Sequence, residues 1–534
     1  MQVRDHNTPF VPSEAHLSSR ALWERVAHRL QAHVRFACGL VPALAAAPLR
    51  ARRAVAYQGE GFRIERFALE TLPDYYLTGS LFIPDKPAGR RAPAMLQPHG
   101  HFEQGRLNAP DILRAVALAQ AGAWVLMYDM VGYNDHFQLA HRLEEPVSWH
   151  RWGFSLAGLQ TWNSLCAFEW LARQPEVDAK RIGCSGISGG GTQTFLLAAV
   201  EPRLACAAPV KMVSSTMQGG CLCENPPLLR LFAGNPEIAA LCAPRPMLLI
   251  SDSGDWTADN PERVAPFLRQ VYQLYGAAER FQHVHLSEGH QFGKEARAAY
   301  YRWAAEVLQL NSVPRDPTLE PEALLPALRV WGEALPRPQG VPEGDALFER
   351  YYALAQAGLQ RWQRSRRFRQ EAEQALLSML GLLELPSVIK PLASKRDEKV
   401  KMVGIVKTAE STQAELRQRA RPGEQIRVFR LQIAPFPERP SAFFLTYNLH
   451  PLAAAARQLL AELQALQARG VALRLVAEGE GATIAAIVAA LLGIPCQLES
   501  PKDIDLPGWN RIGGLQTLRK LLPRASSYSS QKRR

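Results

Sequence analysis

"RIGCSGISGGGTQTFLLAAV", residues 181–200, decides how this chain is read. An apolar run leads into Gly183, Gly186, Gly189, Gly190 and Gly191, clustered around Ser185 and Ser188, and a second apolar run follows. Three chemistries use such a stretch: a phosphate loop, a dinucleotide-binding turn and a nucleophile turn. A phosphate loop needs G-x-x-x-x-G-K-[ST], and no lysine follows Gly191. The dinucleotide fingerprint G-x-G-x-x-G is not met by the run either. What remains is G-x-S-x-G, as Gly186-Ile187-Ser188-Gly189-Gly190, between a strand "RIGCSG" and a helix "GTQTFLLAAV". A serine on a strand–turn–helix sits in a strained backbone, so its neighbours must lack bulk. The helix N-terminus adds a dipole that favours an oxyanion.

Outward from this turn, strands and helices alternate. "FRIERFALE", "YYLTGSLFIP" and "APAMLQPHG" read as strands, then helix "APDILRAVALAQAG", strand "AWVLMYD" and helix "LAGLQTWNSLCAFEWLARQ". Beyond residue 200 come strands "LACAAPVKM", "RPMLLIS" and "FQHVHLS", separated by helical segments and closed by "KEARAAYYRWAAEVLQL". Such alternation predicts crossover units and a mostly parallel twisted sheet with helices on both faces, the α/β-hydrolase arrangement. In that fold an acid and then a histidine follow the serine, each at a strand end. "RPMLLISDSGDWT" supplies Asp252 and Asp255, and "FQHVHLSEGHQF" supplies His290. Ser188, Asp255 and His290 are the expected nucleophile, acid and base, with Asp252 the competitor for the acid. "QPHGHF" supplies an oxyanion loop, so the backbone N–H groups of His101 and Gly189 are the expected oxyanion donors. His99, Cys221, Glu224 and Trp256 are candidates for the substrate pocket.

In register, "QPHGHF", "YDMVGYND", "GISGGGTQTF", "MQGGCLCEN", "APRPMLLIS", "GDWT" and "EGHQFGKE" resemble the acetyl xylan esterase-like, dienelactone-hydrolase-related branch of the α/β-hydrolases. The resemblance covers about residues 15–310. It implies a carboxylic-ester hydrolase working through an acyl-serine intermediate, with Ser188, Asp255 and His290 as its triad. The substrate class implied is a small-acyl ester, acetyl first, on a small molecule or a carbohydrate. Peptidase and glucuronoyl-esterase activities stay open, because one scaffold hosts many acyl transfers. Asp129 and Gly132 match a structural turn beside the site.

The domains expected are an N-terminal helical segment (1–55), the catalytic unit (56–312), a proline-rich linker (313–345) and a second α/β unit (346–534). In the second unit "VALRLVAEGEGATIAAIVAALLG" imitates the nucleophile region but puts Gly479 where the serine would be; a second alignment pairs it with "YDMVGY". His450 is the last histidine in the chain, so this unit has no triad of its own. It reads as a truncated, degenerate copy that covers or braces the first unit or mediates a homo-oligomer. A non-catalytic binding or scaffold protein is the rival from another class.

Charge is uneven: residues 1–340 hold 33 Lys/Arg against 32 Asp/Glu, and residues 341–534 hold 29 against 18. With no nucleic-acid motif present, "RWQRSRRFRQ" and the terminal "QKRR" read as a solvated helix face and a tail rather than a nucleic-acid site. No window of about 18 apolar residues and no signal-like N-terminal segment is visible, so a cytoplasmic chain without a membrane span is expected. The eight cysteines lie scattered, several inside apolar runs, so no disulfide framework is expected. Cys221 and Cys223, with His99 or His101 nearby, could be metal ligands, but the C-x-C spacing lacks a second thiol pair; they are expected to pack a loop beside the pocket, with no metal and no cofactor.

Overall fold

Runs of branched and aromatic residues bounded by Gly, Pro and Asp become strands, and the longer amphipathic or wholly apolar stretches between them become crossover helices. The computed structural model describes residues 3–10, 12, 14–45, 48–385, 401–407, 421–437, 443–523 and 526–529. Nine strands make the first sheet: β1 (Arg50–Gly59), β2 (Phe62–Leu72), β3 (Tyr75–Pro84), β4 (Ala92–Pro98), β5 (Trp124–Tyr128), β6 (Val177–Ile187), β7 (Cys206–Val210), β8 (Met247–Asp252) and β9 (Phe281–Leu286). Their order is β1-β2-β3-β5-β4-β6-β7-β8-β9. β1, β2, β3 and β5 pair antiparallel in sequence, and every pair from β5 to β9 is parallel. This mostly parallel sheet fits the α/β-hydrolase fold.

The helices that position the site are α1 (Arg20–Ala37), α2 (Ala109–Gln120), α3 (Leu156–Ala172), α4 (Gly189–Val200), α5 (Val264–Leu274) and α6 (Lys294–Leu308). Alternate strand residues feed two cores. Leu96 and Leu126 pack with α1, α3, α4 and α5, while Met95 and Val125 pack with α2 and α6. Burial on both faces explains why β4, β5, β7 and β8 are largely apolar rather than alternating, with Gln97, Ser251 and Asp252 the buried polar residues near their C-terminal ends.

Two boundaries differ from expectation. β1 begins at Arg50, inside the segment expected to be helical, because "RARRAVAY" alternates along a sheet edge. The proline-rich 313–345 stretch is a strap across the first unit: Leu324 and Leu328 are buried against the α2–α6 core, and Leu328 O accepts from Ser80 and Arg106.

Beyond the strap, α7 (Ala346–Trp362) and α8 (Phe368–Met379) precede a second sheet of β10 (Lys401–Lys407), β11 (Gln425–Arg430), β12 (Ala472–Glu478), β13 (Cys496–Glu499) and β14 (Ser527–Ser529). Its order is β11-β10-β12-β13-β14, parallel throughout. β10 and β11 were not anticipated from the sequence. This order repeats that of β5-β4-β6-β7-β8. At the junction of β12 with α9 (Gly479–Leu492), Gly479 has φ +61°; at the junction of β6 with α4, Ser188 has φ +56°. The "RWQRSRRFRQ" arginines Arg364, Arg366 and Arg367 lie exposed at the α7–α8 turn.

α1 is shared filling. Trp23, Leu30 and Val34 join one continuous core with Leu376 and Met379 of α8, Val488 of α9 and Trp509. Polar contacts tie the units too: Leu228 N–H donates to Leu445 O (2.7 Å), Arg230 N–H to Thr446 O (3.0 Å) and Tyr447 OH to Asn225 Oδ1 (2.6 Å). His450 caps the helix Pro451–Ala468 through Nδ1. Among the described residues no helix is long and apolar enough to cross a membrane.

Candidate active site

β6 is buried from Ile182 to Ile187 and ends at Ser188, whose backbone turns to φ +56°, ψ −126° before α4 starts at Gly189. A non-glycine residue in this region is strained and persists only where its surroundings hold it. Here Ser188 N–H donates to Val210 O (3.1 Å), and Ser188 O accepts from Thr192 N–H (3.0 Å). The glycines are clearance. A Cβ on either Gly186 or Gly190 would lie 2.4 Å from Pro98 O, and one on Gly189 would lie 2.6 Å from the His101 ring. The loop after β4 therefore closes directly over the Ser188 turn.

Ser188, Asp255 and His290 all follow the C-terminal ends of parallel strands. His290 Nδ1 meets Asp255 Oδ2 at 2.8 Å, and Asp255 Oδ1 accepts from Thr257 N–H (2.7 Å) and Thr257 OH (2.5 Å). His290 Nε2 is buried with no hydrogen-bond partner among the described residues. The ring packs on Trp256 (4.2 Å between centroids) and on Phe102 (6.5 Å). Phe102 and Ser188 Cβ both crowd Gly100, which links the histidine's wall to the serine. No hydrogen bond joins Ser188 to His290; such bonds commonly tighten only around a bound substrate.

Asp252 does not meet the histidine. Its buried carboxylate pairs with the equally buried Lys211 at 2.8 Å and accepts from the N–H groups of Gly254, Glu288 and Gly289. Burial pushes its pKa up, but Lys211 and these N–H groups outweigh that and hold it below the usual range. Lys211 also donates to Gly289 O (2.6 Å), so this pair anchors the loop next to His290. Sequence reading missed Lys211, whose place in the site depends on a partner 41 residues away.

His99 is not a pocket residue. It is fully buried, Nδ1 bonding Gly100 O (2.7 Å) and Nε2 accepting from Met130 N–H (2.9 Å). Burial drives its pKa down to about 3, so the neutral ring braces the loop after β4 from below. Glu224 is also buried and holds the N–H groups of Gly220 and Cys221 while accepting from Thr192 OH on α4. Asp129 pairs with Arg106 at 2.7 Å, both without exposed surface, and Gly132 leaves room for the His141 backbone, 2.1 Å from where a Cβ would stand.

Cys221 lies in a cluster that sequence reading joined only in part: Cys223 and His101 were weighed with it, His141 was not. His101 Nε2 stands 3.1 Å from Cys223 Sγ, and His141 Nε2 stands 3.2 Å from Cys221 Sγ. The sequence signals for it were the C-x-C pair and the histidines of "QPHGHF". His141 sits in an unremarkable loop and had none.

No family model matches the chain. The chain is similar to "Putative hydrolase YtaP" of Bacillus subtilis (strain 168), 26% identical over 237 residues, which are 39% of this chain and 76% of that protein. Among solved structures it is similar to methylesterase BT1017, with 28% identity, a TM-score of 0.54, and coverage of 67% of this chain and 82% of that one. A glucuronoyl esterase from Solibacter usitatus superposes with a TM-score of 0.41 at 14% identity, over 57% of this chain and 99% of that one.

Proposed function

We propose that this protein is a serine hydrolase of carboxylic esters, with Ser188 the nucleophile, His290 the base and Asp255 the orienting acid. The observation that carries the reading is the strained, glycine-cleared Ser188 on the turn after β6, at the same end of the parallel strands as the loops that hold the 2.8 Å Asp255–His290 pair. The names of the relatives, a hydrolase and a methylesterase, support ester hydrolysis as the reaction class.

In this reading Ser188 Oγ attacks the ester carbonyl as its proton passes to His290 Nε2, the ring nitrogen left unpaired. Asp255 accepts the Nδ1 proton's hydrogen bond and stabilises the imidazolium. The carbonyl oxygen, now negative, takes hydrogen bonds from the N–H of Gly189, which as the first helical residue has no intrahelical acceptor, and from that of His101. His290 returns the proton to the departing alcohol. Water then repeats the cycle on the acyl-serine and releases the acid. Trp256, whose buried Nε1–H beside His290 has no partner among the described residues, is the candidate substrate donor.

The acyl group is acetyl or of similar size and the substrate a carbohydrate ester. The second unit is read as a catalytically dead copy of the parallel half of the first, bracing the 221–231 loop from outside. The test is hydrolysis of 4-nitrophenyl acetate and labelling by a fluorophosphonate. Both are lost in Ser188→Ala, and unchanged turnover in that variant would overturn the assignment. Comparing an acetylated sugar with the methyl ester of a uronic acid separates a small acyl group from a small alcohol.

A further inference from the structure

Three loops around Ser188 converge on four soft donors. His101 comes from the loop after β4, His141 from the loop after β5, and Cys221 and Cys223 from the loop after β7. Their ligand atoms, two imidazole nitrogens and two sulfurs, all lie within 4.8 Å of one another. A tetrahedral ion with bonds of about 2.3 Å to sulfur and about 2.0–2.1 Å to nitrogen separates its donors by about 3.4–3.8 Å. The His101–Cys223 and His141–Cys221 separations, 3.1 and 3.2 Å, need a small expansion to reach that geometry, and a pair as wide as 4.8 Å needs to close by about 1 Å.

We infer that His101, His141, Cys221 and Cys223 form a zinc site that ties these three loops together.

The surroundings are those of a prepared site. His141 Nδ1 lies 2.7 Å from Val131 O, an acceptor only, so the proton belongs on Nδ1 and the bare Nε2 lone pair points at the cluster. A histidine that gives its other N–H to a carbonyl is the usual arrangement around a ligating imidazole. The cysteine loop is equally held: Glu224 takes the N–H of Cys221, Asn225 Nδ2 donates to Cys221 O (2.7 Å), and Gln193 of α4 donates to Cys223 O (3.3 Å). A two-sulfur, two-nitrogen donor set selects zinc among divalent ions by softness and shape.

Four protein ligands leave no open position, so the ion acts as a clamp and not as a Lewis acid for substrate. Zinc binding releases the two thiol protons, and the two thiolates balance the ion's charge. The place of the clamp matters because the His101 ring packs directly on Gly189. It would set the spacing between the oxyanion loop and the nucleophile turn. That role rests on the esterase reading; the site itself does not.

The test is metal content and spectrum of the full chain, purified without a metal-affinity step. Elemental analysis is expected to find about one zinc per chain. Replacement with Co²⁺ should give the visible bands of a tetrahedral ion and a thiolate-to-cobalt charge-transfer band. Cys223→Ser and His141→Ala should each lower bound metal at least tenfold and abolish the charge-transfer band, while Cys242→Ser, away from the cluster, keeps both. His141→Ala leaves both thiols in place and serves if Cys223→Ser does not fold. A chain that takes up neither zinc nor cobalt, or that joins Cys221 to Cys223 as a disulfide, overturns the inference. So does metal retained by both variants. None of these readouts uses turnover, so an inactive chain that binds zinc refutes only the esterase reading.

Discussion

Asp252 and Asp255, three residues apart, should respond in opposite ways to the same change. In Asp252→Asn the buried Lys211 ammonium, 2.8 Å from the carboxylate, loses its counter-charge in a place with no exposed surface. Removing one partner of such a pair costs about 3–5 kcal/mol, because the remaining charge stays desolvated. The new amide NH₂ also turns two accepted hydrogen bonds into repulsive contacts, since each oxygen of Asp252 serves two donors. At roughly 2–4 °C per kcal/mol for a large domain, Tm falls on the order of 10 °C. In Asp255→Asn the side-chain oxygen can keep both Thr257 bonds, so stability changes by no more than about 1 kcal/mol. The amide NH₂ then faces His290 Nδ1 and favours the tautomer protonated on Nε2, which cannot accept the serine proton. A loss of about 10⁴ in kcat is the scale for a serine triad with that lesion. The assay pairs kcat on 4-nitrophenyl acetate with thermal and urea denaturation of both variants. If Asp252→Asn keeps its Tm but loses turnover, or Asp255→Asn keeps turnover, the assignment of these two carboxylates is refuted.

Gly190→Ala puts a methyl 2.4 Å from Pro98 O and 2.9 Å from the His99 backbone, neither of which can swing away. A destabilisation of at least about 1–3 kcal/mol follows, seen as a lower urea midpoint or loss of soluble protein. Tyr447→Phe removes the hydroxyl that reaches Asn225 across the two units, and about 1–2 kcal/mol of stability should go with it. An unchanged midpoint would remove the second unit's role as a brace at this point. Burial lowers the pKa of His33 to about 4 and that of His136 to about 3, against an ordinary 6.5. Both rings are neutral in the folded chain but charge in the unfolded one, so their contribution is present above pH 6.5 and is lost as pH falls toward 4. Each adds a slope approaching roughly 1.4 kcal/mol per pH unit. Urea midpoints at pH 7, 6 and 5 check this, and a flat profile would contradict it.

Local rules carried the sequence reading a long way. The strands and helices of the first unit are legible because a strand buried on both faces is largely apolar and its crossover helices are long. Ser188 and its glycines are equally legible, since clearance around a strained residue is a local requirement. What spacing could not decide is which side chains meet. Asp252 and Asp255 share one loop, and only the packing of β7 against β8 gives Lys211 to the first and leaves the second for His290. β10 and β11 escaped notice because they lie in a stretch of strong charge. His99, read as a pocket residue from its motif, is buried under the loop it braces. The four-donor cluster shows the limit most clearly. His101 and Cys223 are 122 residues apart, and His141 and Cys221 are 80 apart, so no local pattern joins them. The sequence by itself determined the sheet, the strained serine turn and the order of chemical groups along the chain. Only the tertiary structure decided the pairings, because charge and lone-pair partners are chosen by distance in space, and that distance is set by how the strand ends line up.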